Sequence, residues 1–384
     1  MRFTGLLSRK YASFFLKNVY ICIRKTSGKV KERINTGRQV ELDVAKVFAI
    51  LYMVTIHVYE EMSVVRYWTR PDSLFRGVLE FVGGPLAAPV FMFAMGVGMV
   101  YTKHRTPRDF AMRGLRLLLA AYLLNVIRMT IPFYLARLSG DSWGYWTVVD
   151  TIGLIDILQF AGMAFLLTAL LEKWRAGRWV ILAVALVLQG VGTVFLHSFD
   201  GLPSVAQYSV GLFFHTNPNV SFPLTLWYVF PSFGICFGEY LQTVADKKTM
   251  YDRIALLSAA GLLGLSIGMR YMGWNLLDNF ALAGEAYYIQ HLPQTLWTLC
   301  VIGLQLFVCF RISLVLPKSF ARGAEYISRR LNTIYLIQWV IIPYAIVAMG
   351  AAGLPMLPAW GIVPAGLLIA ATSILLSRYI RFKL

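Results

Sequence analysis

Apolar stretches of seventeen to twenty-five residues recur along the whole of this 384-residue chain, separated by short polar segments. A helix rises about 1.5 Å per residue, so each stretch is long enough to cross roughly 30 Å of hydrocarbon with its backbone polar groups satisfied internally. No strand-like alternation competes with them. With 58% hydrophobic and 14% charged residues and a mean hydropathy of +0.62, the chain is too apolar for a water-soluble globule. The sequence therefore predicts an all-α, polytopic integral membrane protein. Ten spans are expected, at 42–59, 79–101, 114–135, 148–171, 179–197, 224–241, 254–273, 292–310, 331–350 and 361–377.

Charge orients these spans. With the amino terminus in the cytoplasm, residues 1–38 carry ten Lys or Arg, and later inside segments add clusters such as Lys103 to Arg116 and Arg311 to Arg330. The outside segments hold only Arg66, Arg70, Arg76, Arg137 and Arg270. The positive-inside rule then places both termini in the cytoplasm. Basic segments facing anionic lipid, at about 1 kcal/mol per residue, explain the net charge of +17, so no nucleic-acid partner is needed. Residues 1–40 read as a basic amphipathic interfacial segment, 41–378 as one membrane domain and 379–384 as a short basic tail. Two long outside loops, 198–223 and 274–291, are rich in Gly, Pro, Asn and aromatics and suit a cover over a cavity mouth. Cys22, Cys236, Cys300 and Cys309 have no metal-ligand spacing, and neither a disulfide nor a metal site is expected.

Ionisable groups inside apolar helices are costly and usually line a site or a water-filled path. Lys46 and His57 lie eleven residues apart on the first span. At about 100° per residue they return to within about 20° of one another, roughly 16 Å apart along the axis. Asp43 is three residues before Lys46 and on its face, where the two can pair. Arg113 and Arg116 stand one turn apart at the inner mouth of the third span, a spacing suited to clamping phosphate. Arg128 lies within the third span, and Asp156 and Gln159 within the fourth. A lone carboxylate at that depth is expensive, so a buried Asp156–Arg128 pair with a structural or orienting role is expected.

Each of these has a plainer reading. His57 fits a hydrogen-bonded packing residue, and Arg113 and Arg116 fit ordinary anchors on lipid phosphate. Trp227, Trp297 and Trp339 fit an interfacial belt better than sugar-stacking positions. His104 and His197 end spans, His215 and His291 sit in or beside outside loops, and Glu239 closes the sixth span as a solvated cap.

Leu42-Asp43 followed by Lys46, ten residues and His57 resembles the opening helix of the membrane-bound acyltransferase superfamily. In its acyltransferase type 3 branch the pattern is Leu-Asp, Arg, ten residues and His, so Lys46 stands at the Arg position. Pro89-Val-Phe-Met-Phe-Ala-Met-Gly-Val-Gly98 is similar to the second helix of that superfamily. Ile155-Asp-Ile-Leu-Gln-Phe-Ala-Gly-Met-Ala-Phe165, Trp227-Tyr-Val-Phe-Pro-Ser-Phe-Gly-Ile-Cys-Phe-Gly238 and Asn332-Thr-Ile-Tyr-Leu-Ile-Gln-Trp339 resemble the heparan-α-glucosaminide N-acetyltransferase-like branch. The resemblance covers about residues 38 to 345.

It implies transfer of an acyl group, most often acetyl, from a cytoplasmic acyl-CoA such as acetyl-CoA. The implied acceptor is a hydroxyl or amine of an envelope glycan or lipid-linked sugar, in a bacterial cytoplasmic membrane. No permanently bound cofactor is implied. A sugar hydroxyl is a poor nucleophile until a base takes its proton, and imidazole titrates near working pH, which makes His57 the general base. Lys46 then steers the donor. Gln338 stands where type 3 relatives sometimes carry a second His. The alternative is a secondary transporter or flippase using Lys46, His57, Arg128 and Asp156 as a polar path; a passive scaffold leaves those charges without a task.

Overall fold

The fold comes from a computed structural model, which describes residues 32–65, 69–138, 146–283, 286–380 and 382. Most of the interfacial segment expected at 1–40, and most of the basic tail, lie outside the described residues. The described chain is helical, with two isolated bridges, Ser63 to Leu357 and Ile155 to Val220, and no strand.

The helices are α1 (Val40–Met62), α2 (Leu74–Gly83), α3 (Ala88–Tyr101), α4 (Pro107–Asn125), α5 (Ile131–Leu138), α6 (Val148–Gly153), α7 (Ile157–Lys173) and α8 (Arg178–Val194). They continue with α9 (Ser204–Gly211), α10 (Leu224–Trp227), α11 (Val229–Leu241), α12 (Lys247–Tyr271), α13 (Leu292–Val315), α14 (Lys318–Arg329), α15 (Leu331–Ala351) and α16 (Ala359–Leu376). Seven helical stretches among the described residues are long and apolar enough to cross a membrane: α1, α2 with α3, α4 through α5, α12, α13, α15 and α16. The other three expected spans take a different form. The stretch 148–171 breaks between α6 and α7, where Ile155 leaves the helix to bond Asn219 and Ser221 through its backbone. The stretch 224–241 is divided into α10 and α11, and 179–197 becomes the 17-residue α8.

Helix α1 is the axis of the bundle. Sixty-one per cent of its apolar stretch is buried inside the protein, against 11% for α12, which leaves most of its surface for lipid. It packs on α3, α13, α14, α15 and α16. Glu41 and Asp43 fall in its first turn, where carboxylates complement the helix dipole. Each is neutralised by a neighbour: Asp43 by Arg38, Glu41 by Lys247 of α12. Beside α1, α3 and α11 meet backbone to backbone. A Cβ at Gly96 would sit 2.0 Å from the Pro231 carbonyl oxygen, and one at Gly234 would sit 2.0 Å from that of Phe93, so only glycine permits this crossing.

Between α4 and α5 the helix widens into one π turn, Val126–Thr130, in which Ile131 N–H bonds to Val126 O. The cause is local. Pro132 has no N–H to offer the Arg128 carbonyl four residues back, and its ring would press on that oxygen in an unbroken α-helix. Across the bundle, the loop after α12 is held down by Trp227 Nε1–H to Tyr288 O (3.0 Å), Gln189 Nε2–H to Gln290 O (2.9 Å) and Tyr287 OH to Gly84 O (3.0 Å).

Candidate active site

Two cavities lie along α1. The larger, about 750 Å³, is lined by His57, Glu60 and Glu61 of α1, by Arg128 of the π turn, by Asp156, and by Tyr335 and Trp339 of α15. Tyr287, Tyr288 and Phe222 from the long loops also line it. The smaller, about 210 Å³, is lined by Lys46, Arg113, Arg329 and Arg330. Ile157 borders the first and Leu158 the second, so the two approach each other at the start of α7.

In the larger cavity the imidazole is held from two sides. His57 Nδ1 lies 3.1 Å from Gln338 Oε1. With that amide oxygen as acceptor, the proton sits on Nδ1 and Nε2 keeps its lone pair. The ring lies on the Trp339 indole, centroids 4.1 Å apart, with Tyr335 edge-on at 6.4 Å. The same indole carries the Arg128 guanidinium, 4.2 Å from its centroid. Arg128 donates from Nη1 to Asp156 Oδ2 at 2.9 Å and from Nε to Asn125 Oδ1 at 3.3 Å. Asp156 also accepts from Tyr335 OH (2.8 Å) and from the Ile157 N–H (2.7 Å), which caps α7. Gln159 completes the cap, accepting from Asp156 N–H and donating to Leu154 O. The break in the fourth expected span is thus what brings Asp156 to the cavity.

The smaller cavity has the opposite character. Among the described residues no hydrogen bond or ion pair reaches the Lys46 ammonium, and no acidic residue lines the space. Arg113 stacks over the Phe165 ring at 4.6 Å, and its buried Nε has no hydrogen-bond partner among the described residues. Arg330 lies over Tyr326 and donates to Ser377 O; Arg329 pairs with Glu325, which also serves Arg38.

Several expectations require correction. Asp43 is engaged by Arg38 rather than by Lys46 and lines neither cavity described above. Arg116 is exposed and does not join Arg113 in lining the smaller cavity. Trp227 and Trp297 are buried inside the protein, where a membrane belt does not reach; Trp297 donates to Ser266 Oγ. His215 is buried in a loop against Val220 O, whereas His104 and His197 are exposed, as their place at span ends implies, and His197 pairs with Asp200. Glu239 pairs with Arg178. Burial holds the His291 imidazole below its ordinary pKa.

Sequence reading passed over Glu60, Glu61, Tyr288 and Tyr335, and took Arg329 and Arg330 for anchors alone. Glu60 and Glu61 had a signal: they follow His57 by three and four residues, and so share its helix face. Tyr288 OH donates to Glu60 Oε1 at 3.2 Å.

A many-helix membrane protein whose central helix carries an imidazole-bearing cavity and a cation-lined one is built for chemistry at membrane depth rather than for passive support. The chain belongs to the heparan-alpha-glucosaminide N-acetyltransferase catalytic family, whose profile it matches over residues 38–272. It is accordingly a multi-pass membrane enzyme of the acetyltransferase type. The match takes in the stretches 155–165 and 227–238 and stops before 332–339. It bears on the glucosaminide branch and does not reach the type 3 branch. No curated protein matches the chain.

Proposed function

We propose that this enzyme transfers an acyl group, acetyl in the first instance, from a cytoplasmic acyl-CoA to a hydroxyl or amine of an envelope glycan or lipid-linked sugar. Its setting is a bacterial cytoplasmic membrane, with both termini inside and residues 41–378 forming one catalytic domain. The observation that carries this reading is the order of the two cavities along α1. Lys46 and Arg113, with Arg329 and Arg330, take the phosphates of the donor in the smaller cavity. The eleven residues from Lys46 to His57 span roughly 16 Å, a distance that an extended pantetheine arm bridges to deliver its thioester to the larger cavity.

There His57 acts as general base. Its Nδ1–H is held by Gln338, its Nε2 accepts the acceptor's proton, and its ring is fixed by Trp339. Lys46 replaces a planar fork with a point charge, which suits a pyrophosphate and does not require bidentate geometry. The test is direct: full-length protein in vesicles, given labelled acetyl-CoA and a glycan extract, yields an acylated product detectable by mass spectrometry. The transport alternative expects movement of substrate across the vesicle without covalent change. His57→Ala at normal expression and insertion abolishes the product; full activity in that variant removes the proposed base.

A further inference from the structure

We infer that Arg128 is a catalytic residue: its guanidinium binds the oxyanion that forms on the acyl carbonyl when the acceptor attacks. This rests on the acyl-transfer reading above. Arg128 sits in the middle of the π turn Val126–Thr130, and single π turns inside α-helices occur frequently at functional sites. The turn, forced by Pro132, changes the direction in which the side chain leaves the helix.

The hydrogen-bond inventory points the same way. Arg128 is 2% exposed, and of its five N–H donors one goes to Asn125 and one to Asp156. The rest have no partner among the described residues, although the guanidinium lines the larger cavity. These N–H groups are therefore free to donate to something that enters the cavity. Glu60 and Glu61 line the same space, yet neither forms an ion pair with Arg128 among the described residues. The indole of Trp339 carries both His57 and Arg128, and so sets the spacing between base and cation. Asp156 and Tyr335 hold the guanidinium in place, and the carboxylate neutralises it when the cavity is empty.

The step balances as follows. His57 Nε2 takes the proton of the acceptor O–H or N–H while the acceptor lone pair forms a bond to the thioester carbonyl carbon. The carbonyl π pair moves to oxygen, and Arg128 donates to that anion. The π bond then re-forms, the C–S bond breaks, and the thiolate of CoA receives the proton from His57. Donors fixed before the reaction are effective here because they need no reorganisation as the charge develops.

The experiment uses the full-length protein in vesicles, with labelled acetyl-CoA as donor and a glycan extract, glucosamine and glucose as acceptor probes. Arg128→Lys preserves a cation beside Asp156 and so preserves thermal stability, while the loss of the fork lowers kcat more than tenfold with the acetyl-CoA KM within a few-fold. Arg128→Ala lowers kcat by about 10²–10³, the usual effect of deleting one oxyanion donor, and millimolar guanidinium restores part of the rate. Because Arg128→Ala strands a buried carboxylate, the Arg128→Ala, Asp156→Asn double variant is measured beside Asp156→Asn alone. The double variant, folded by thermal melting, stays at least tenfold below Asp156→Asn in kcat. Wild-type transfer with equal kcat in the two, or an Arg128→Lys variant that is fully active, overturns the assignment. Absence of transfer by the wild type overturns instead the acyl-transfer reading on which it stands.

Discussion

The two ends of α1 hold charge in opposite ways. At the His57 end the cation Arg128 is met by Asp156, the carboxylate by Tyr335 and a backbone N–H, and the imidazole by Gln338. At the Lys46 end an ammonium and two of the three guanidiniums have no carboxylate partner among the described residues, and the one exception shares Glu325 with Arg38. Buried charge is tolerated only when compensated. At the first end the Arg128 and Asp156 charges compensate each other, and the imidazole is held by Gln338. The second end, on the reading proposed above, leaves compensation to an anionic ligand. On that reading a single helix separates making a bond from holding the molecule that brings the acyl group.

The largest break in this contrast comes from His57→Ala, which removes the base and lowers acyl transfer by at least about 10²-fold with donor binding preserved. Product measured by mass spectrometry beside acetyl-CoA-induced thermal stabilisation separates the two effects. Next in size is Lys46→Ala: losing a charged hydrogen bond of about 1.5–3 kcal/mol weakens acetyl-CoA roughly ten- to hundredfold. That appears as a rightward shift in the concentration needed to raise the melting temperature, with kcat at saturation little changed. Equal stabilisation of wild type and variant would remove the smaller cavity from donor binding. Lys46→Arg keeps the charge and is expected to stay within a few-fold of wild type in the same titration. The smallest effect separates two neighbours. Arg113→Ala raises the acetyl-CoA KM several-fold, whereas Arg116→Ala, on an exposed side chain outside the cavity, leaves it within about twofold; a reversed order would refute the placement of the cation cluster.

The membrane class, the seven long helices and the Lys46–His57 face were legible from the chain, because apolar length and 3.6-residue periodicity are local properties. The expected span 148–171 breaks for a reason that is not local. Ile155 leaves the helix to bond Asn219 and Ser221, which are more than sixty residues away. In the same way, Asp43 lies three residues from Lys46, yet Arg38 takes it, since Arg38 also reaches Glu325 on α14. Glu60 and Glu61 were legible in spacing alone, but the expected span ended at 59, just short of them. Tyr288 carries no local mark at all; Trp227 and Gln189 pin its loop over the cavity.

The sequence by itself determined that this protein lives in a membrane as helices, that one of those helices carries a cation and an imidazole on a shared face, and to which family the chain belongs. Those follow from hydrophobic length, helical pitch and motif order, none of which needs a neighbour. Only the tertiary structure decided which charges compensate one another. It set Gln338 and Trp339, beyond the matched region, against His57, turned Arg128 through a π turn onto Asp156, and gave Lys46 no ion pair among the described residues. The reason is electrostatic: the cost of a buried charge depends on what packs within a few ångströms of it, and in a helical bundle those atoms come from distant parts of the chain.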